Sequence, residues 1–226
     1  MIRTPTETDI TTILYIRHGE VEGNNPASPD YSYTGCKGDP HLTEKGVSQA
    51  KAVAERLLQL QEEGKIGKIA AVYSSTLSRA RNTAKESAYR LGLEVQERHD
   101  LREIDWGFAN GKRVQEMTEQ FGELEKQIKE RYPNRKERWS HVPVFPGAET
   151  LNQLLERSTK ELQKIGASHL GATVVVFGHG RVLKTLIRAS DLEGKGKLPY
   201  PSNGSITEFK CSPENGIQFV KMFPAQ

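Results

Sequence analysis

The stretch Ala172–Gly180, ATVVVFGHG, sets the fold of this chain. Its apolar part, Ala172–Phe177, is the richest in β-branched residues and shows no polar alternation, the pattern of a strand buried on both faces of a parallel sheet. It stops at Gly178-His179-Gly180 and runs straight into Val182, Leu183, Leu186 and Ile187 on helical spacing. Two other stretches repeat the plan. Ile13–Ile16 (ILYI) stops at Arg17-His18-Gly19, and Ile69–Tyr73 (IAAVY) stops at Ser74-Ser75. The second leads into a helix through Leu77, Ala80, Ala84, Ala88 and Leu91, ended by Gly92. Between them, Thr43 is a helix N-cap before Val47, Ala50, Val53, Ala54, Leu57 and Leu58 on 3-4 spacing. Glu149–Ile165 reads as one more helix, and Ser205–Lys210 with Ile217–Met222 as a hairpin or two edge strands. This alternation predicts an α/β fold: a three-layer α/β/α, mostly parallel sheet with helices on both faces. The polar, charge-rich segment from about Gly111 to Phe145 is expected to be a helical insertion over the C-terminal end of the sheet, within a single domain spanning 1–226.

Composition narrows the class. The chain has 226 residues, 35% hydrophobic and 27% charged, with 32 Lys+Arg against 29 Asp+Glu and a net charge of +3. That is a globular composition, and so small a surplus of charge makes no nucleic-acid footprint. No apolar run approaches the ~20 residues that span a bilayer, and MIRTPTETDI lacks the apolar centre of a secretory signal. Cys36 and Cys211 make neither a disulfide framework nor a zinc pattern and are expected to be free thiols. A cytoplasmic protein without membrane or nucleic-acid partners is the expectation; oligomeric state stays open.

Three strands thus end in polar or glycine-flanked turns. In open α/β sheets ligands bind beyond the carboxyl ends of the strands, where helix N-termini also point. If these strands are neighbours, His18, His179, Arg17 and Arg79 converge. Two guanidiniums and helix N-terminal amides suit a dianion, since each arginine offers a planar fork of donors. A neutral imidazole beside them can attack phosphorus while the cations stabilise the transferring group, with no metal required. The leaving oxygen needs a proton, and Glu103 in LREIDWGFANG is the candidate donor.

The same residues carry a resemblance. Arg17-His18-Gly19-Glu20 with Asn24 resembles the RHGE-x-x-x-N signature of the histidine phosphatase superfamily, in its phosphoglycerate-mutase-like branch. Leu42-Thr43-Glu44-x-Gly46-x-x-Gln49-Ala50, Ser74-Ser75-Thr76-Leu77-Ser78-Arg79-Ala80 with Thr83-Ala84, Leu101-x-Glu103 with Gly107 and Gly111, and Gly178-His179-Gly180 are similar to that branch's further blocks, in order. The resemblance implies that His18 becomes phosphohistidine and that Arg17, Arg79 and His179 hold the phosphoryl group, with Asn24 and the Gly180 amide assisting. It also implies that Glu103 is the proton donor and that no metal or other cofactor is needed.

The expected activity is a phosphomonoester phosphatase acting on a small phosphorylated metabolite. A phosphoglycerate mutase is the alternative, and a catalytically silent phospho-ligand-binding domain a third reading. Val114 stands where the mutases usually carry a lysine, and 111–145 contains no Arg-Arg pair, which argues for hydrolysis. The Asn25–Tyr33 loop is long for the family and is expected near the pocket. Gly35-x-x-x-Asp39 has one spacer more than the usual G-x-x-D, so no contacts are assigned to Cys36 or Lys37. His41, His99, His141 and His169 read as surface or capping histidines, and Arg131–Arg138 as a solvated face. Trp106 and Trp139 either line the pocket mouth or close the core.

Overall fold

In a computed structural model, the described residues are 9–24, 27–134, 140, 142–190 and 201–223. They form a six-stranded sheet flanked by helices. The strands are β1 (Thr11–Arg17), β2 (Ile69–Ser75), β3 (Val95–Arg98), β4 (Thr173–Gly178), β5 (Ile206–Ser212) and β6 (Gly216–Met222), in the order β3-β2-β4-β1-β5-β6. β3, β2, β4 and β1 run parallel, and β5 and β6 add an antiparallel hairpin beside β1. The sheet is therefore mixed. The expected terminal hairpin is present, with β6 at the edge and β5 in the interior.

The helices are α1 (Glu44–Glu62), α2 (Ser78–Leu91), α3 (Val114–Arg131), α4 (Leu151–Ala167) and α5 (Gly180–Ser190). Period-2 alternation along the strands assigns each helix pair to a face. Leu14, Ile16, Val72, Val175 and Phe177 pack with Val53, Leu57 and Leu60 of α1 and Ala84 and Ala88 of α2. Ile13, Tyr15, Ala71, Tyr73, Val174 and Val176 pack with Leu154, Leu162 and Ile165 of α4 and Leu183, Leu186 and Ile187 of α5. The predicted three layers are present.

Local chemistry sets the helix ends. The Thr43 side chain accepts from the Gly46 amide, as predicted, and Thr150 forms a capping box with Gln153 ahead of α4. Gly92 ends α2 in the left-handed conformation, at φ 66°. The start of α2 has no side-chain cap of its own; Asp39 Oδ2, from a distant loop, accepts from the Ser78 amide at 2.8 Å.

The described part of the insertion contains α3. Its first residues pair with the loop that leaves β1: Gly111 N donates to Tyr33 O at 2.7 Å, Tyr33 N to Lys112 O at 2.9 Å and Val114 N to Tyr31 O at 2.8 Å. Asp30 forms an ion pair with Arg113 at 3.0 Å. Trp106 packs edge-on against Tyr33 within the core and lies beneath the Arg181 guanidinium at 5.3 Å, beside the start of α5. The insertion therefore sits at the carboxyl end of the parallel strands. Trp139, His141 and much of the basic Arg131–Arg138 run lie outside the described residues, as do Asn25 and Pro26. No helix among the described residues is long and apolar enough to cross a membrane.

Candidate active site

β4 lies between β1 and β2, so the three sequence-predicted strand ends are adjacent. Arg17 pairs in register with Gly178, and Ser74 with Phe177. His18 and His179 thus leave neighbouring strands at the same level, their rings edge-to-face with centroids 5.2 Å apart. Arg79 enters from the first turn of α2.

The glycines that frame the histidines are dictated by packing. A Cβ on Gly19 would lie 2.4 Å from Gly46 O, and one on Gly46 would lie 2.1 Å from Glu20 O. The start of α1 therefore presses directly on the backbone after His18. A Cβ on Gly178 would lie 1.9 Å from Tyr15 Oη, and that hydroxyl accepts from the His179 amide at 3.0 Å. Burial pushes the Tyr15 hydroxyl well above its ordinary value, so it stays protonated.

His18 is 5% exposed. Its Nδ1 lies 2.7 Å from Gly19 O, and a carbonyl can only accept, so Nδ1 carries the proton and Nε2 keeps a free lone pair. Burial first, then the Arg79 and Arg17 guanidiniums, hold the imidazole well below its ordinary value, although the Gly19 bond opposes them. His18 is neutral at physiological pH. Its backbone is fixed as well: Asn203 Nδ2 donates to His18 O at 2.8 Å, and the Gly19 amide donates to Thr83 Oγ1 at 3.0 Å.

His179 is fully buried, and its Nε2 meets Ser75 Oγ at 2.8 Å. Ser75 Oγ also accepts from the Leu77 amide at 3.3 Å; with the Ser75 proton directed at Nε2, the imidazole proton lies on Nδ1. That Nδ1 has no partner among the described residues. Burial, then Arg79 and His18, hold His179 well below its usual value too.

The Arg79 side chain is 1% exposed. Nη1 donates to Gly38 O and Nη2 to Gly35 O, both at 2.8 Å, while Asp39 Oδ1 lies 3.5 Å away. Its Nε is buried without a hydrogen-bond partner among the described residues, as is Nδ2 of Asn24. A buried donor left unsatisfied costs about 1–3 kcal/mol, and an arginine opposed by one carboxylate at 3.5 Å remains a strong positive centre. An anion accepting from such a donor removes that cost. Arg17 Nη1 donates to Pro201 O at 2.8 Å, and its charge acts on both histidines.

Glu103 follows the short 3-10 turn His99–Leu101. Its Oε2 accepts from the Arg181 amide at 3.1 Å, at the start of α5, and Oε1 from the Ile104 amide at 3.0 Å. It interacts electrostatically with Arg79. A cleft of about 410 Å³ touches Glu103, bounded by Cys36, Arg102, Asp105, Glu149 and Arg157. The two histidines and Arg79 are not in its lining. Gly180 opens α5 directly after His179.

Sequence reasoning gave no role to Tyr15, Ser75, Thr83, Asp39 or Asn203. Tyr15 did carry a signal, as the one polar tip in an aliphatic buried strand. Asp39, past the extra spacer, meets the Ser78 amide and Arg79, and Lys37 reaches Asp105 at 3.7 Å. Trp106, 6% exposed, closes the core. Both cysteines are free and buried. His41 is exposed; His99 is exposed against Arg102, and His169 pairs with Tyr73 Oη at 2.8 Å.

His18 and His179 thus stand at adjacent strand ends with Arg17, beside Arg79 at the start of α2. Residues 13–222 match the histidine phosphatase superfamily, branch 1, and the chain belongs to that family. It is 36% identical over 205 residues to the phosphoglycerate mutase-like protein 4 of Arabidopsis thaliana, covering 90% of this chain and 81% of that one. It is 32% identical over 194 residues to the metal-independent phosphoserine phosphatase of the same plant, covering 85% and 74%. The crystal structure of phosphoglycerate mutase from Bacillus anthracis superposes with a TM-score of 0.73 at 26% identity, covering 95% and 93%.

Proposed function

We propose that this chain is a phosphatase of small phosphomonoesters that works through phosphohistidine at His18. The observation that carries the reading is the tautomer of His18: Nδ1–H tied to Gly19 O, leaving a neutral Nε2 lone pair among two guanidiniums. Nε2 attacks phosphorus, the bond from phosphorus to the ester oxygen breaks, and that oxygen takes a proton from the Glu103 carboxyl. Arg17, Arg79 and Nδ1–H of His179 hold the equatorial oxygens as charge spreads onto them, with Asn24 and the Gly180 amide assisting. Water then attacks phosphorus, Glu103 takes its proton, and the bond from phosphorus to Nε2 breaks to return neutral His18 and inorganic phosphate. The charge is supplied by arginine, so the mechanism calls on no metal or cofactor. The substrate is a small phosphorylated molecule, and the protein is expected in the cytoplasm.

A phosphoglycerate mutase shares every step until the phosphoryl group leaves His18 for a bound product instead of water. Val114 argues for hydrolysis, since its side chain offers no charge to a substrate carboxylate and its amide is spent on Tyr31 O. Phosphate release from a panel of phosphomonoesters including 3-phosphoglycerate, in excess EDTA and with His18→Ala as control, decides between the readings. Release that disappears in His18→Ala supports the phosphatase. Interconversion of 2- and 3-phosphoglycerate with little release makes it a mutase, and no turnover of either kind makes it a binding domain.

A further inference from the structure

Glu103 has to deliver its proton to one oxygen, yet it stands on an irregular segment between a 3-10 turn and the insertion. Neither helix nor sheet fixes that backbone. Two residues in and just before α4 do. Arg157, two turns into α4, donates from Nη1 to Asp100 O at 2.7 Å and Arg102 O at 2.8 Å, and from Nη2 to Glu103 O at 3.1 Å. Its Nε and Nη2 bind Glu149 Oε1 and Oε2 at 2.7 and 3.0 Å. Glu149, just before α4, grips the other side of the segment. Its amide donates to Asp105 O at 2.7 Å, and its Oε2 accepts from the Asp105 amide at 3.2 Å.

Guanidinium has five N–H donors, and all five are used here. Arg157 therefore has no donor left for a phosphoryl group, and its fork is committed to backbone carbonyls on both sides of Glu103 and at Glu103 itself. Glu149 fixes the fork by bidentate pairing, in which geometry adds specificity to charge. The pair is partly buried, with side chains 24% and 13% exposed, which limits the competing effect of water. A carboxyl displaced by about 1 Å from its proton acceptor loses about 10²-fold in rate, so holding this backbone has a direct kinetic consequence.

We propose that Arg157 and Glu149 are positioning residues for the proton transfer, acting through Glu103 and touching no reacting atom. This rests on the proposed function, in which Glu103 is the acid. The pair clasps residues 100 to 105 so that the Glu103 carboxyl meets the leaving oxygen opposite His18. Lysine cannot substitute, because a point charge with three rotatable donors cannot span three carbonyls and a carboxylate in one plane.

The test uses the full chain with Arg157→Lys, alone and combined with Glu103→Gln, on glycerol phosphate and on 4-nitrophenyl phosphate, with vanadate inhibition as a probe of the phosphoryl site. Arg157→Lys is expected to lower kcat/KM on the alkyl ester by about 10²-fold. It should change the aryl ester by less than about threefold, because that leaving group needs little protonation, and leave vanadate inhibition as in wild type. In the Glu103→Gln background it should add no further loss on the alkyl ester. Equal losses on both esters, or losses that multiply in the double variant, overturn the proposal. Should Arg157→Lys fail to fold, Glu149→Gln keeps size and shape and is expected to show the same ester-selective loss at about tenfold; an unselective loss overturns the proposal equally. Glu103→Gln alone separates the two levels. If it shows no dependence on the leaving group, Glu103 is not the acid and the positioning role falls with it. If it does, and the Arg157 and Glu149 variants do not, the positioning role alone is wrong.

Discussion

Lowering the pH from 7 to 5 should destabilise this protein through two side chains, His18 and His179. Both are held well below the ordinary histidine value, by burial first and then by neighbouring cations, so both stay neutral in the folded chain. In the unfolded chain each titrates near 6.5, its ordinary value. Below that pH the unfolded state binds more protons than the folded one. Stability is therefore fully present above about 6.5 and falls as pH drops through it, until the depressed folded values are reached. The ordinary value in the unfolded chain sets the upper limit of the effect between pH 7 and 5: about 2 kcal/mol for each ring that stays neutral, and about 4 kcal/mol for the pair. That is a large fraction of the 5–15 kcal/mol that typically stabilises a domain. Carboxyls held low, Glu20 and Asp105 among them, lose their contribution mainly below about pH 4.5, outside this window. Urea unfolding at pH 7, 6 and 5 should be measured for wild type and for a His18→Asn, His179→Gln double variant, whose amides keep donors and acceptors near the original nitrogens. Other groups, His169 included, titrate in both proteins and cancel in the difference. The wild-type free energy should fall more than that of the variant, by up to about 4 kcal/mol. Parallel curves would refute the claim that both rings are buried neutral.

Glu103→Gln should slow alkyl phosphates by about 10²–10⁴-fold and 4-nitrophenyl phosphate far less, as steady-state kinetics on both esters will report. Arg79→Lys should weaken vanadate inhibition by at least about tenfold, because lysine loses the planar fork held by Gly35 O and Gly38 O. Gly178→Ala should lower stability by about 1–3 kcal/mol in urea, since its Cβ would lie 1.9 Å from the Tyr15 hydroxyl. Excess EDTA should leave phosphate release unchanged, because Arg17 and Arg79 supply the charge that a metal would otherwise bring; a strong loss would count against the mechanism.

The parts of the fold that were legible in sequence are those whose signal is local. β1, β2 and β4 are aliphatic runs that stop at polar residues, and Thr43 and Gly92 mark their helix ends by capping chemistry alone. β3, Val-Gln-Glu-Arg, was not predicted: it is a polar edge strand held by its pairing with β2, and no hydrophobic period betrays it. The start of α2 was legible from Leu77 onward, but its capping partner was silent, because Asp39 comes from 39 residues upstream of Ser78. The site divides in the same way. His18, His179 and Arg79 sit at strand and helix ends, where position in the pattern already implies exposure to a ligand. Tyr15, Asn203 and Arg157 act through contacts 164, 185 and 54 residues apart in the chain, which only the folded topology creates.

The most direct test of the account is to trap the covalent intermediate. The enzyme would be mixed with a phosphomonoester labelled in the phosphoryl group and quenched in base, where phosphohistidine survives, and the label then located by peptide mapping. The account predicts label on the peptide carrying His18, absent in His18→Ala and discharged as inorganic phosphate when unlabelled water is left to act before quenching. Phosphate release at full rate with no label on His18, or with label on His179 instead, would contradict it.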